Sequence, residues 1–527
     1  MFKISLMSSI STFFKLYKSE QLTDIKKWFV KSLAFFKANT VKENADGILL
    51  VQMVKTYDYT IKLAAASKTI AEKNNLFVNL YKVDVNWTWE TQKLYLIFES
   101  LGINILKKIY LSFGNEVVFN NDEKYKDQKI IKQQLNKIKA QLGPNDREKL
   151  LLLKFDDILV GDLIYDSYLR FFHKPTIAEI NENVFYTIEL ALNLFYNFSN
   201  FIQNNKIKCL LNTYVSYIQH GIPARICMYN NIDVYTIGST SYVIQKLTNL
   251  FPYHQIDHTL FSSSKLLDET RIDQAKSRLE SRFSGTIDAA TSYMRSSAYT
   301  GGKLSKELTD KFKYRKRNIV LYVHDFYDSP HINRMLQFPD LYEFLRQTLN
   351  ALTDLKDTSV FIKTHPNGVE GAKDVAIELI NSFNSPHFYI LDESVSNLNI
   401  VELRPDLIGT ARGTIGVEMA YFGIPVVALY DNIYANFNFV HTCLTTEEYF
   451  LILKGIKAPE IDYDQKNIFS FYYQAFLEKI ADKDGDIFTI FASFKGNLFS
   501  DDFLNHIYQS EYINYRDDFV NYYSKAL

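Results

Sequence analysis

The sequence predicts an α/β protein of two halves, each built on a parallel sheet covered by helices. Three observations predict this class: short apolar runs alternate with helical stretches, a polar segment follows, and the alternation then starts again. The chain has 527 residues, which at roughly 150 residues per domain is enough for two or more domains with large cores. Two such halves are expected to face each other across a cleft, at the sheet edge where open α/β folds bind ligands.

Composition excludes several classes of function. The 59 Lys and Arg residues balance 60 Asp and Glu residues, so the chain lacks the basic surplus of a general nucleic-acid binder. The hydrophobic share of 47% and charged share of 23% are those of a globular protein, not of a disordered or fibrous one. Cys209, Cys227 and Cys443 show no metal-binding spacing and indicate reduced thiols, hence a cytoplasmic location.

Residues 1–45 predict a basic amphipathic helical segment. Its apolar positions follow helical spacing with lysines between them, at Leu22, Ile25, Phe29, Leu33 and Phe36. Such a helix either contacts the anionic cytoplasmic face of the inner membrane or packs on its own domain, and the sequence leaves both open. We expect no signal peptide and no spanning segment.

The first series of elements occupies residues 46–310, the predicted N-terminal domain. Strands are expected at 47–54, 76–83, 208–214 and 233–238, with helices at 122–152 and 217–229. The polar stretch 262–317, which ends in the basic run KFKYRKR, is predicted to be an irregular linker.

The second series occupies residues 311–485, the predicted C-terminal domain, and residues 486–527 predict a helical tail. Strands are expected at 318–326, 359–366, 387–392, 406–410 and 424–429. Helices are expected at 340–353, 370–383, 414–423, 446–455 and 465–482.

A cluster of small residues in this second half predicts a phosphate site. With only 19 glycines in the chain, Gly413 and Gly416 stand close together where a strand runs into a helix. Thr414 is expected to cap that helix, Arg412 to donate to a phosphate, and Glu418 to accept from ribose hydroxyls. The alternative is a tight strand-to-helix turn with no ligand.

Two polar loops follow neighbouring predicted strands. Lys363 and His365, in KTHP, can both donate to a phosphate. The loop HDFYDSPH places His324 toward the cleft as a candidate catalytic group, while Asp325 contributes to the loop or to acceptor binding. Two histidines and two aspartates could hold a metal, but their spacing matches no standard zinc pattern, and no metal is predicted.

The first half offers candidate acids in GDLIYDSYLR and a basic pair in HGIPAR. Asp162 or Asp166 could be the general base that deprotonates an acceptor hydroxyl, although Asp162 could instead cap a helix and Asp166 pair with Arg170. His220 and Arg225 either hold an acidic substrate or pack.

Four motifs of the second half resemble the C-terminal half of bacterial capsule and surface-polysaccharide biosynthesis proteins. In chain order they are HDFYDSPH, KTHP, GTARGTIGVEMAYFGIPVVAL and NFVHTCLTTEEYF. GDLIYDSYLR and HGIPAR resemble the first half of the same group. That group is similar to GT-B glycosyltransferases, including capsule Kdo transferases that use CMP-activated sugars. The resemblance implies a GT-B-like fold of two Rossmann-like domains, with the acceptor on the first and the nucleotide-sugar on the second.

The resemblance also implies an activity and its site. The enzyme would be a transferase that moves a sugar, such as Kdo or a related CMP-linked sugar, to a growing surface polysaccharide or lipid-linked glycan. It would need no metal and no cofactor besides the nucleotide-sugar donor. The resemblance assigns Glu418 to the ribose, and to the donor phosphates it assigns Lys363, His365, Arg412, Gly413, Thr414 and Gly416. Relatives often carry Ser in the small-residue loop where this chain has Arg-Gly-Thr, which leaves the nucleotide open. The alternatives are a non-catalytic polysaccharide-assembly protein on this scaffold and a CDP-polyol phosphotransferase.

Overall fold

The computed structural model describes most of the two predicted domains. It covers residues 36–54, 59–83, 107, 110–121, 124–237, 244–250, 252–253, 258–286, 297–332, 336–365, 368 and 371–478. The predicted tail 486–527 and residues 1–35 of the basic segment lie outside the described residues, so the expectations for them stay predictions.

The N-terminal half follows the predicted alternation. Its strands are β1 (Gly47–Gln52), β2 (Leu76–Lys82), β3 (Val117–Asn120), β4 (Lys154–Phe155), β5 (Ile158–Leu159), β6 (Ile207–Asn212), β7 (Asp233–Thr236) and β8 (Gln245–Leu247). Its helices are α1 (Thr60–Lys73), α2 (Gln128–Gln141), α3 (Arg147–Leu151), α4 (Gly161–Phe172), α5 (Glu182–Gln203) and α6 (Tyr217–Tyr229).

Six of these strands form one sheet in the order β3-β2-β1-β6-β7-β8. All neighbours are parallel except β7 and β8, while β4 and β5 form a separate antiparallel pair. The chain moves outward from β1 in one direction and from β6 in the other. This is doubly wound topology, with its switch point between β1 and β6.

The C-terminal half repeats this plan. Its strands are β9 (Arg317–Tyr322), β10 (Thr358–Lys363), β11 (Phe388–Leu391), β12 (Leu407–Thr410), β13 (Val426–Leu429) and β14 (His441–Cys443). The helices α7 (Glu269–Phe283) and α8 (Lys306–Tyr314) precede the sheet. The helices that follow are α9 (Leu341–Leu352), α10 (Ala372–Ser382), α11 (Asn397–Leu403), α12 (Ile415–Tyr421), α13 (Thr446–Leu453) and α14 (Gln465–Tyr472), the last continued by a π-helical turn, Tyr473–Leu477.

The second sheet has the order β11-β10-β9-β12-β13-β14, with every neighbouring pair parallel. Its central strands are buried on both faces, and all six residues of β10 are buried. This burial explains why they stand out in the sequence as continuous apolar runs. The switch point lies between β9 and β12, so the residues just beyond these two strands border the crevice where such folds bind ligands.

The predicted linker is the part of the fold that sequence reasoning placed wrongly. Residues 262–317 contain the helices α7 and α8 instead of an irregular segment. Ala275 and Leu279 of α7 and Phe312 of α8 pack in the core of the C-terminal half, so the chain joins that half before the predicted boundary at residue 310. Both helices are charged on most of their surface and bury only a narrow apolar stripe, which hides their periodicity.

Candidate functional site

Three side chains gather at the carboxyl edge of the second sheet. His324, His365 and Arg412 each lie two residues beyond the end of a strand, namely β9, β10 and β12. Because these strands are parallel neighbours, equivalent positions beyond them meet at one edge. The backbone N–H of Arg412 donates to Nε2 of His324 across 3.2 Å, directly at the switch point.

His324 is neutral at pH 7. Burial, reinforced by the charges of His365 and Arg412, lowers the pKa of His324 to about 4. Since Nε2 accepts from the backbone of Arg412, the single ring hydrogen is on Nδ1. Burial also lowers the pKa of His365 below its usual value. Both imidazoles can therefore act as hydrogen-bond donors without carrying a charge.

Arg412 brings a half-buried positive charge to this edge. Its Nη1 donates to the carbonyl of Pro330 across 3.2 Å. Burial lowers the pKa of Arg412 to about 10, although the carboxylates of Asp431 and Asp166 favour its charged form. An anionic ligand here would therefore recover part of the cost of burying the guanidinium.

A carboxylate–imidazole pair joins the two halves beside Arg412. Asp166, on α4 of the first half, accepts from Nδ1 of His331 across 2.6 Å and from its backbone N–H across 3.2 Å. Asp166 is buried, with 2% of its surface exposed. Nε2 of His331 is buried as well and has no hydrogen-bond partner within the described part of the chain. The arrangement leaves one ring nitrogen for proton transfer.

Burial and mutual contact shift the pKa of both members of this pair. Burial raises the pKa of Asp166 to about 6, against the opposing effect of His331. Burial disfavours the imidazolium of His331, but Asp166 outweighs that effect and raises the pKa of His331 above its usual value. Groups that titrate near pH 7 are those best suited to general acid–base catalysis.

The other candidate acid is held in an ion pair. Both oxygens of Asp162 accept from Arg225 across 2.6 Å, and Arg225 also donates to the carbonyl of Leu159. Both side chains are 5% exposed, and the guanidinium lies 5.8 Å from the ring of Tyr253. Within the described residues, Asp166 makes its hydrogen bonds to the opposite half, whereas Asp162 makes them within its own half. The predicted roles of Asp162 in catalysis and Arg225 in acceptor binding remain predictions.

The switch point of the first sheet is filled by side chains. Nδ1 of His220 lies 2.5 Å from Nε2 of Gln52, whose oxygen accepts from Thr213. Asn212 donates to the carbonyl of His220 and accepts from Tyr81. His220 therefore belongs to a buried hydrogen-bond network, which favours the alternative that it packs within the first half.

The glycine-rich turn makes internal contacts in place of the expected cap. Thr414 is helical, with φ −57° and ψ −16°, and makes no capping bond, so that prediction is wrong. Its hydroxyl donates to Glu418 across 3.3 Å. Glu418 also accepts from the hydroxyl of Tyr299 and lies 2.5 Å from Nη2 of Arg282. The acid expected at the ribose is thus enclosed in an ion pair.

Gly416 is explained by packing, and Gly413 is bonded within the turn. The N–H of Gly413 donates to Oγ1 of Thr410, and its carbonyl accepts from Tyr434. A Cβ at Gly416 would lie 2.4 Å from the hydroxyl of Tyr434, so glycine there admits that ring. Lys363 is likewise engaged, since its Nζ donates to the carbonyls of Glu393 and Val395 across 3.2 and 2.8 Å. Phosphate contact by these groups stays an untested prediction.

Two predicted residues lie at the margin of the site. Arg170 is exposed near the end of α4, and Asp166, its expected alternative partner, contacts His331 instead. Asp325 accepts from the backbone N–H of Tyr327 across 2.8 Å, which is the expected loop-shaping role. Sequence reasoning missed His331 as a site residue, although it ends the singled-out loop HDFYDSPH. It missed Arg282 altogether, because no local signal links α7 to Glu418.

Other polar contacts across the two halves hold the site together. Arg147 of α3 reaches Glu343 of α9 across 3.4 Å, and the hydroxyl of Tyr165 donates to Asp340 across 2.6 Å. The ring of His173 stacks on Tyr327 with 3.9 Å between centroids. These contacts fix α4 against the loop that carries His331.

Replacing Glu343 with Gln is expected to lower stability at pH 7 and to flatten its pH dependence. Burial opposes ionisation of Glu343, but hydrogen bonds from Arg346 and Gln347 and the charge of Arg147 outweigh it and lower the pKa to about 2. A depressed carboxyl pKa stabilises the fold above about pH 4.5, and this contribution is lost as pH falls toward 2. We expect a loss of about 1 kcal/mol, because Arg346 is partly solvated.

Thermal unfolding of wild type and Glu343→Gln between pH 7 and pH 3 measures this difference. Glu148→Gln is the control, since Glu148 also contacts Arg147 but is 66% exposed, and it should change little. A gap between wild type and Glu343→Gln that stays constant down to pH 3 would contradict the assignment.

One further cluster of potential metal ligands lies away from the cleft. Ligand atoms of His441, Cys443 and Glu448 lie within 4.8 Å of one another. However, Nδ1 of His441 accepts from the N–H of Glu460, so Nε2 carries the hydrogen and donates to Glu448 across 3.3 Å. Both ring nitrogens are therefore engaged, and Lys457 lies 2.5 Å from the same carboxylate. We assign no metal to this cluster.

The two doubly wound sheets make the chain an α/β protein with two Rossmann-like halves, and this confirms the α/β architecture predicted from the sequence. No family model matches the chain, and no curated protein matches it. None of the helices that the structure describes is long and apolar enough to cross a membrane.

Several solved structures are similar to the chain. The beta Kdo 2,4 transferase KpsC of Thermosulfurimonas dismutans is 13% identical over 50% of this chain and 79% of its own, with a TM-score of 0.32. A glycosyltransferase of Rickettsia africae is 10% identical over 82% and 95%, with a TM-score of 0.27. A UDP-GlcNAc 2-epimerase of Methanocaldococcus jannaschii, solved with UDP-GlcNAc and UDP, is 12% identical over 80% and 96%, with a TM-score of 0.26.

Proposed function

We propose that the chain is a glycosyltransferase that moves a sugar from a nucleotide-activated donor to a hydroxyl of a surface polysaccharide. One observation carries this proposal: the half-buried guanidinium of Arg412 and the Asp166–His331 pair meet where the two halves face each other. Sugar transfer needs a cation for the departing phosphate and a base for the acceptor hydroxyl. This arrangement offers one of each.

The donor would lie against the C-terminal half at the β9–β12 switch point. Arg412 would bind its phosphate, and His324 and His365 would donate ring hydrogens to the same group. Because Arg412 is fixed by its bonds to His324 and Pro330, its charge would need little rearrangement when the phosphate leaves. The motif resemblance supports a CMP-linked sugar such as Kdo as the donor.

The acceptor would meet the Asp166–His331 pair. In the transfer step, its hydroxyl oxygen bonds to the anomeric carbon while the bond from that carbon to the phosphate oxygen breaks and its electron pair leaves with the phosphate. The hydroxyl proton passes to Nε2 of His331, and Asp166 stabilises the imidazolium through Nδ1–H. Nε2 is covered in this structure, so acceptor binding must expose it. The proposal needs no metal ion.

A nucleotide panel tests the donor site. Thermal unfolding of the full chain is measured with CMP, CDP, UDP and GDP, and one of them is expected to stabilise it. A hundredfold excess over the dissociation constant corresponds to about 2.7 kcal/mol. Arg412→Ala should remove that stabilisation, whereas Arg404→Ala, which changes an exposed arginine of the same half, should keep it.

The outcomes separate the alternatives. If none of the four nucleotides stabilises the wild type, the proposal is contradicted and the non-catalytic assembly protein is favoured. Stabilisation that survives Arg412→Ala would contradict the phosphate role of Arg412. If CDP stabilises and the product mass shows a transferred polyol phosphate, the chain is a phosphotransferase instead.

A further inference from the structure

Tyr217 has a backbone conformation that a bulky residue rarely adopts. It is the first residue of α6, and its φ of +62° lies in the left-handed region. A non-glycine residue persists there only when its surroundings determine it, and such residues concentrate at functional sites.

Three contacts determine its position. The hydroxyl of Tyr217 donates to Oδ1 of Asp328 across 2.9 Å, which crosses from the first half to the second. Its ring packs on Phe171 of α4, with 5.7 Å between centroids. The next residue, Ile218, donates its N–H to Oγ of Ser167 across 2.9 Å. Tyr217 is 8% exposed, so these contacts are made largely out of solvent.

Together these contacts close a ring around the proposed acid–base pair. Ser167 is the chain neighbour of Asp166, and it holds the start of α6. Tyr217 at that start holds Asp328, whose Oδ1 also accepts from the N–H of Ser329 across 2.9 Å. The same turn continues to His331, which returns to Asp166. The orientation of His331 toward Asp166 is thus set from both ends of the turn.

We propose that Tyr217 is a positioning residue: through Asp328 it fixes the turn that presents His331 to Asp166. Its role in catalysis rests on the proposed function, but its effect on the pair does not. Without the hydroxyl, the turn loses one of its ties to the first half and keeps the bonds of His331 to Asp166 and the stacking of His173 on Tyr327. The Asp166–His331 contact is then expected to lengthen and to be made for less of the time.

The test is Tyr217→Phe in the full chain, with histidines labelled by ¹⁵N and followed by NMR as pH is varied. His331 is assigned from the signal lost in His331→Gln. The charged groups that act on its ring are Asp166 and Asp162 from α4 and Arg412 from the loop after β12. A weaker bond to Asp166 should lower the midpoint of the His331 titration by about 0.5 pH unit.

Tyr81→Phe is the matched control. Tyr81 is also buried, and its hydroxyl also donates to a single side chain, Asn212, but it lies on β2 within the first half. We expect Tyr81→Phe to affect unfolding without moving the His331 titration. A purely structural role of Tyr217 would give the same result for both variants, and that outcome would overturn the inference.

A second variant keeps the inference testable if Tyr217→Phe folds poorly. Asp328 is exposed, and Asp328→Ala removes the acceptor of the Tyr217 hydroxyl together with that of the Ser329 N–H. It should shift the His331 titration as Tyr217→Phe does, and the double variant should shift it no further. Additive shifts, or none, would contradict the ring of contacts.

Activity distinguishes this inference from the proposed function. If sugar transfer is found, Tyr217→Phe should lower kcat about tenfold and leave the donor KM unchanged. A titration shift without any transferase activity in the wild type would overturn the proposed function and keep the positioning role. Sugar transfer by the wild type together with an unchanged His331 titration in Tyr217→Phe would keep the proposed function and overturn the positioning role.

Discussion

Asp166→Asn is expected to abolish sugar transfer while the protein stays folded. The amide cannot accept the Nδ1 hydrogen of His331 and also supply a negative charge. Its NH₂ group instead favours the tautomer in which Nδ1 accepts and Nε2 carries the hydrogen. His331 then has no lone pair for the acceptor proton, and the loss of a positioned base costs about 10²–10⁴ in kcat.

The same change should not destabilise the fold at high pH. Burial raises the pKa of Asp166 to about 6, so its contribution to stability is complete below the usual carboxyl pKa and is lost as pH rises through 6. Above pH 6 the wild type therefore buries a carboxylate at a cost that the neutral amide avoids. We expect the Tm of Asp166→Asn to equal or exceed that of wild type at pH 8.

Initial rates of transfer and thermal unfolding, both measured from pH 5 to pH 9, check these expectations. Asp354→Asn is a suitable control, because Asp354 is an exposed carboxylate of the C-terminal half at the end of α9. If Asp166→Asn transfers sugar at the wild-type rate with the wild-type pH profile, the Asp166–His331 pair is not the acid–base group.

The predictable part of the fold is the part that is buried on both faces. The strands of the second sheet were expected at 359–366 and 406–410, and the structure has Thr358–Lys363 and Leu407–Thr410. Parallel strands under two layers of helices need apolar side chains on both faces, so they leave continuous apolar runs in the sequence. Helix α7 buries only a narrow stripe, and its charged surface concealed it.

The same logic explains how much of the site could be predicted. His324, His365 and Arg412 follow strands at equivalent distances, so strand positions alone bring them to one edge. The partner of Asp166 could not be found in this way, since His331 lies 165 residues further along the chain. Local periodicity gives no information about which loop of one half faces which helix of the other.

The ion pairs of the other candidate residues could not be predicted for a related reason. Arg225 is a candidate for binding an acidic substrate. In the structure it pairs with the carboxylate of Asp162, which lies 63 residues earlier in the chain. A sequence shows that a charged residue is present at a strand–helix junction. It does not show whether the opposite charge arrives from the substrate or from the protein's own chain. In the structure, Asp162 and Glu418 each have an arginine of the same chain beside them.

Arg225→Ala is accordingly expected to be the most destabilising of the changes considered, and its main effect should be on the free energy of unfolding. Asp162 would remain 5% exposed with no cation beside it, and the carbonyl of Leu159 would lose its donor. Removing one partner of a buried ion pair costs about 3–5 kcal/mol, because the other charge stays desolvated. Urea unfolding followed by circular dichroism measures the loss directly.

The double variant Asp162→Leu with Arg225→Met shows whether the penalty comes from the uncompensated charge. Replacing both partners with apolar side chains of similar size is often neutral, so the double variant should recover most of the stability lost in Arg225→Ala. If the double variant were as unstable as the single one, the arginine would be required for its packing against Tyr253 and not for its charge. A loss below about 1 kcal/mol in Arg225→Ala would show that solvent reaches Asp162, contrary to its burial.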